Sequence, residues 1–188
     1  MGGFLLGFDS AVISGAVNGI RTYFEMSDWQ LGFSVGCLIF GAMAGNLLAG
    51  PLSDRFGRKK LLIITAMLFT ISALWSATAT TYVTFVIARI IGGVGIGGAI
   101  LIAPIYIAEI APPKLRGSLV SLNQLNIVLG ISVAYFSNYF LINLEGESWR
   151  WMLGVEAIPA LIYFLTLFTV PRSPRWLILK LNKVRLSS

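Results

Sequence analysis

Three charged residues stand where a bilayer-spanning segment would carry none. They are Asp9 in "MGGFLLGFDSAVISGAVNGI", Arg89 in "ARIIGGVGIG" and Glu156 in "WRWMLGVEAIP". An ionised group in hydrocarbon is costly, so such residues turn towards the protein interior or a wet cavity and partner one another. Two carboxylates and one guanidinium can be tolerated when they are grouped. Their chemistry would be proton exchange. Burial strengthens a carboxyl's hold on its proton, and a neighbouring guanidinium weakens it. An acid at position 9 that alternates between contact with Arg89 and a drier setting would therefore take up and release a proton. The chain has no His, so proton chemistry falls to carboxylates. Two plainer readings stay open on the residues alone. The trio is a static ion pair that fixes helix register, or Asp9, so near Met1, lies towards the membrane edge.

Positioning these charges takes helices that cross a bilayer, and composition supplies them. Hydrophobic residues make up 56% of the chain and charged residues 12%, with a mean hydropathy of +0.82. A soluble domain carries about 25% charged residues. The net charge of +6 does not make a nucleic-acid face, because the Lys and Arg residues lie between apolar spans. Cys37, the single cysteine, sits inside an apolar run and excludes an internal disulfide or a metal spacing. It reads as a small buried residue. There is no convincing signal-peptide cleavage site.

A span needs about 20 apolar residues. The sequence predicts six, at 1–20, 29–53, 61–79, 82–107, 117–144 and 151–170, with breaks at "RTYFEMSDWQ", "DRFGRKK", "SATATTY", "APPKLRG" and "EGESWR". An even number places both termini on one side. Arg55, Arg58, Lys59, Lys60, Lys114, Arg116, Arg172, Arg175, Lys180, Lys183 and Arg185 gather there, against Arg21 and Arg150 opposite, which predicts cytoplasmic termini. Trp29, Trp75, Trp149 and Trp151 at outer span ends and Trp176 at the inner one read as an interfacial belt. "GFSVG", "GAMAG" and "GGVGIGG" read as close helix packing; the last lies within a span and is no nucleotide loop. At about 1.5 Å per residue, Asp9, Arg89 and Glu156 lie about 16, 10 and 9 Å from the outer ends. Those depths allow contact across spans one, four and six.

"GPLSDRFGRKK" after the second span and "PIYIAEIAPPKLRG" after the fourth resemble signatures of the sugar porter family of the major facilitator superfamily. "GFDSAVISGA", "ARIIGGVGIG", "SLNQL", "WRWMLGVEAIP" and "PRSPRWL" follow in that family's order, so the likeness runs from Gly2 to about Leu177. The resemblance implies an all-α twelve-helix transporter whose two six-helix halves rock around a central sugar site. This chain would be the N-terminal half, a 3+3 inverted repeat, although no internal sequence repeat shows it. Residues 1–171 would form the membrane domain and 172–188 the start of a cytoplasmic linker, with both ends cut short. The expected setting is a plasma or bacterial inner membrane.

By resemblance, Asp9, Arg89 and Glu156 form the proton-coupling group, and Gln124 is the amide that hydrogen-bonds sugar hydroxyls. Ile131 stands where some members offer a second glutamine. Asp54, Arg55, Arg58, Glu109, Arg116 and Arg175 match a cytoplasmic charge latch that holds the halves outward-facing. Arg172, where the family usually has an acid, is a departure that weakens that latch. The implied function is proton-coupled sugar symport. A facilitative uniporter, a sugar sensor and an inactive fragment are the alternatives. Asp9 favours coupling, because uniporters often carry a neutral residue there. The lack of a Gly-Pro signature in span five disfavours drug antiport. No nucleophile–base pattern points to an enzyme. The expected partners are sugar, the lipid bilayer and the missing C-terminal half, without nucleic acid; the proton is the coupling ion, and no cofactor is expected.

Overall fold

The computed structural model describes residues 2–143 and 146–171. Its helices are α1 (Gly2–Tyr23), α2 (Asp28–Phe56), α3 (Arg58–Thr78), α4 (Tyr82–Ile110), α5 (Arg116–Leu141), α6 (Ser148–Val155) and α7 (Ala157–Thr169), with a short 3-10 turn at Pro113–Leu115. Six membrane-length apolar helical segments result, the sixth being α6 and α7 together over Ser148–Thr169. No strand occurs among the described residues. The chain is a multi-pass membrane protein.

Helix ends follow from local chemistry. Ser27 and Gln30 form a reciprocal capping box at the start of α2, and Thr81 and Thr84 form another at the start of α4. Gly57 turns the chain between α2 and α3 with φ of 93°, a region that side-chain-bearing residues rarely enter. The sixth span, expected as one helix, is broken at Glu156. Three residues on, Pro159 lacks the N–H that would reach the Val155 carbonyl.

Packing is set by glycine. A Cβ on Gly93 would come within 2.1 Å of the Leu38 carbonyl oxygen, and one on Gly97 within 2.1 Å of that of Ala42. From the other side, Gly41 and Gly45 each stand 2.2 Å by the same measure from the Ile90 and Val94 carbonyl oxygens. Helices α2 and α4 therefore meet backbone to backbone, as "GAMAG" and "GGVGIGG" suggest. Gly7 and Gly130 do the same for α1 and α5. "GFSVG" differs: Gly32 and Gly36 have nothing within 4 Å, so that stripe is uncovered in this chain. We expect Gly97→Val to wedge α2 from α4 and cost about 1–3 kcal/mol. A lower unfolding temperature than that of Gly36→Val, where there is open space, checks this.

The packing partners also reveal the repeat. Helix α2 packs on α4 as α5 packs on α1; α3 packs on α4 as α6 packs on α1; α2 touches α3 as α5 touches α6. Exchanging the first three spans for the last three maps the contacts onto themselves. Because three is odd, the second unit enters from the opposite side. This is a 3+3 inverted repeat.

Two apolar clusters fill the bundle. One contains Leu5, Leu62, Ile96 and Ala160, and the other Phe8, Phe85, Ala79 and Leu153. Along α4 and the sixth span, the break between clusters brackets Arg89 and Glu156; on α1 it falls between Leu5 and Phe8, just before Asp9. The charges thus occupy a polar layer between two apolar ones. Trp149 corrects an expectation: it is 2% exposed, enclosed by Tyr23, Phe24 and Phe85, rather than part of a surface belt. Gly19 makes room for it, since a Cβ there would lie 2.9 Å from the Trp149 Cβ. Trp29, Trp75 and Trp151 are exposed as expected; Trp176 lies outside the described residues.

Candidate functional site

Asp9 comes from the middle of α1, Arg89 from the first half of α4, and Glu156 from the break in the sixth span. They are 1%, 3% and 2% exposed, so water does not screen them freely. Both guanidinium Nη atoms of Arg89 donate to Asp9, Nη2 to Oδ2 at 3.2 Å and Nη1 to Oδ1. Such a fork holds planes as well as charges in register. Glu156 is within electrostatic reach of both. Its Oε1 and the Arg89 Nε have no hydrogen-bond partner among the described residues. Ionised throughout, the trio would carry one net negative charge. A single proton neutralises it.

The layer has further polar members that sequence reasoning missed. Ser72 Oγ donates to the Ala88 carbonyl at 2.6 Å, beside Arg89, and one turn on the buried hydroxyl of Ser76 has no hydrogen-bond partner among the described residues. Their serine type and four-residue spacing gave no signal within an apolar helix. Cys37 is fully buried as expected, its Sγ 3.2 Å from the Ser34 carbonyl oxygen and within electrostatic reach of Asp9 and Arg89.

Gln124 is not part of this layer. It stands exposed on α5, with Ile131 half-buried two turns on. On α1, Ser10, Ser14 and Asn18 make a second uncovered polar stripe at four-residue spacing. The Ser10 and Ser14 hydroxyls are satisfied by the Leu6 and Ala11 carbonyls of their own helix.

At the cationic end, Arg58 joins three segments. Its Nε donates to Glu109 at 3.2 Å, and its Nη1 to Asp54 at 2.9 Å and to the Ser53 carbonyl at 3.2 Å. Asp54, Arg58 and Glu109 therefore come together around one guanidinium. Arg55 does not join them; its guanidinium lies 5.5 Å from the ring of Phe56. The side chain of Arg116 and all of Arg172 and Arg175 lie outside the described residues. Sequence reasoning missed a clasp nearby. Lys59 donates to the Phe168 carbonyl at 2.9 Å and to that of Val170, and the Tyr106 hydroxyl donates to Pro171. An ammonium on the last carbonyls of a helix is favourable, because they carry its negative end.

A buried carboxylate–guanidinium–carboxylate layer inside a six-span inverted repeat invites comparison with known transporters. The family model "Sugar (and other) transporter" matches residues 1–186. The chain belongs to the sugar transporter family. Among the relatives it resembles is the glucose transport protein of Synechocystis sp., 44% identical over 189 residues, covering 95% of this chain and 40% of that one. The arabinose-proton symporter of Bacillus subtilis is 45% identical over 184 residues, covering 94% of this chain and 39% of its own. The solved structure of the proton:xylose symporter XylE of the major facilitator superfamily, from E. coli, superposes with a TM-score of 0.89 at 41% identity. It covers 94% of this chain and 44% of that chain. The fold is thus that of the N-terminal half of a major facilitator sugar porter, and the chain spans about 40% of the length of the curated relatives it matches.

Proposed function

We propose that this chain is one half of a sugar transporter that works by alternating access and couples a sugar to a proton. The observation that carries this reading is the Asp9–Arg89 fork with the buried Glu156 within electrostatic reach of both. In this scheme Asp9 is the proton carrier. It is forked to Arg89 in one state and released from it when the helices shift. Glu156 gives Arg89 a second carboxyl to turn to, so the guanidinium is never left alone in the interior. The break at Glu156 supplies a place where α6 and α7 can change angle without shearing a continuous helix. Among members of the sugar transporter family, relatives named as proton symporters for arabinose and xylose support coupling over plain uniport.

Sugar contact is assigned to Gln124, whose exposed amide can donate to one hydroxyl and accept from another. The remaining contacts belong to a second six-helix half, the proposed partner. The uncovered apolar faces of α2 and α5, with Phe40, Leu47, Val128 and Phe136 exposed, suit such a half or lipid. Asp54, Arg58 and Glu109, with Arg55, Arg116 and Arg175, are assigned to the latch between halves. The cationic end that holds them is placed in the cytoplasm, and with it both termini. The protein is read as a carrier without enzymatic activity, needing no cofactor beyond the proton itself.

Gln124→Ala, made in the complete transporter, should weaken sugar binding by about 1–3 kcal/mol, because sugar hydroxyls lose a hydrogen-bond partner. Protein level and insertion should be unchanged. Calorimetric titration of the purified variant is the test; wild-type affinity would remove Gln124 from the site.

A further inference from the structure

At the end of the bundle opposite the cationic latch, a groove of about 470 Å³ opens between the third and sixth spans. Its walls are Ala77 and Thr78 of α3 and Glu147, Arg150, Trp151 and Gly154 of the α6 end. Arg150 is held in place from several sides. Its Nη1 donates to the Ala77 carbonyl at 3.0 Å, its Nε donates to Glu147, and its guanidinium lies over the rings of Trp149 and Tyr23 at 4.6 and 4.9 Å. That leaves Nη2 without a hydrogen bond among the described residues. The side chain of Glu147 is 45% exposed, so it too has capacity for a second partner.

The groove therefore presents one fixed cation and one fixed anion side by side, at the level where the apolar spans end. Trp151, 63% exposed, flanks it at that level, as tryptophans at a bilayer interface do. One turn deeper along each wall, Leu74 and Ile158 are exposed and apolar. Charged mouth above and apolar seam below is the profile of a phospholipid, not of a soluble anion. Glu147 would repel a purely anionic headgroup such as that of phosphatidylglycerol. It would attract an ammonium.

We propose that this groove binds an amine-bearing zwitterionic phospholipid, its phosphate on the free edge of Arg150, its ammonium on Glu147 and an acyl chain along Leu74 and Ile158. The phosphate–guanidinium and ammonium–carboxylate pairs then close a four-charge square on the existing ion pair.

Native mass spectrometry of the complete purified protein with equal amounts of phosphatidylethanolamine, phosphatidylcholine and phosphatidylglycerol tests this. The unaltered protein should retain about threefold more phosphatidylethanolamine than either competitor, the range open to a partly exposed charge pair. Glu147→Gln, an exposed change that leaves Arg150 in place, should bring the ethanolamine-to-choline ratio to about one. An unchanged ratio in Glu147→Gln, or equal retention of all three lipids by the unaltered protein, would overturn the proposal. So would displacement of the lipid by inorganic phosphate, which would make the groove a simple anion site.

Discussion

Asp9→Asn in the complete transporter should abolish uphill sugar accumulation driven by a pH gradient and spare sugar exchange at equal pH. Asp9 is almost fully buried and forked to Arg89. An amide of the same shape mimics a permanently protonated acid, so it permits the conformational step that protonation permits while carrying no proton across. Transport by the variant should lose most of its dependence on external pH. A static ion pair makes a different forecast: misfolding or low expression, with exchange and accumulation falling together. Counterflow and gradient-driven uptake measured in the same vesicles separate the two.

Arg89→Leu should be worse than either carboxyl substitution. It leaves Asp9 and Glu156 facing each other in the polar layer without their cation. Removing one partner of a buried pair costs about 3–5 kcal/mol, since the survivor stays uncompensated. Here two acids survive. We expect strongly reduced expression and a lower unfolding temperature. Combining Arg89→Leu with Asp9→Asn should restore expression beyond the sum of the single effects, the mark of direct coupling. Expression and thermal unfolding of the two single variants and the double check this.

The trio was legible because a charge within an apolar run has few physical explanations, and its three depths allowed contact before any was visible. The spans were legible for the same reason, through length and hydropathy. What sequence could not show is instructive in each case. Trp149 and Trp151 both sit at a span end, yet one is core and the other surface. Only the space left by Gly19 and the ring faces of Phe24 and Phe85, distant in sequence, decide between them. "GFSVG" and "GAMAG" have the same small-residue spacing within α2. Gly41 and Gly45 meet α4 while Gly32 and Gly36 meet nothing, because spacing fixes a helix face and not what covers it. The inverted repeat left no trace in the residues, since it resides in which helices pair. Lys59 counted only as topology charge. Its grip on the Phe168 and Val170 carbonyls needed the end of α7 in place. Pro159 lies inside the apolar run read as one span, so the break at Glu156 shows only in the folded helix.

Sugar-driven proton movement tests coupling most directly. Vesicles bearing the complete transporter, with no pH gradient and a weakly buffered external medium, receive a downhill sugar concentration from outside. The wild-type protein should carry protons in with the sugar, and an external pH indicator should report alkalinisation that a protonophore abolishes. The Asp9→Asn protein should take up sugar by the same route with no pH change. Sugar entry without alkalinisation in the wild type, or alkalinisation that persists in Asp9→Asn, would contradict Asp9 as the proton carrier.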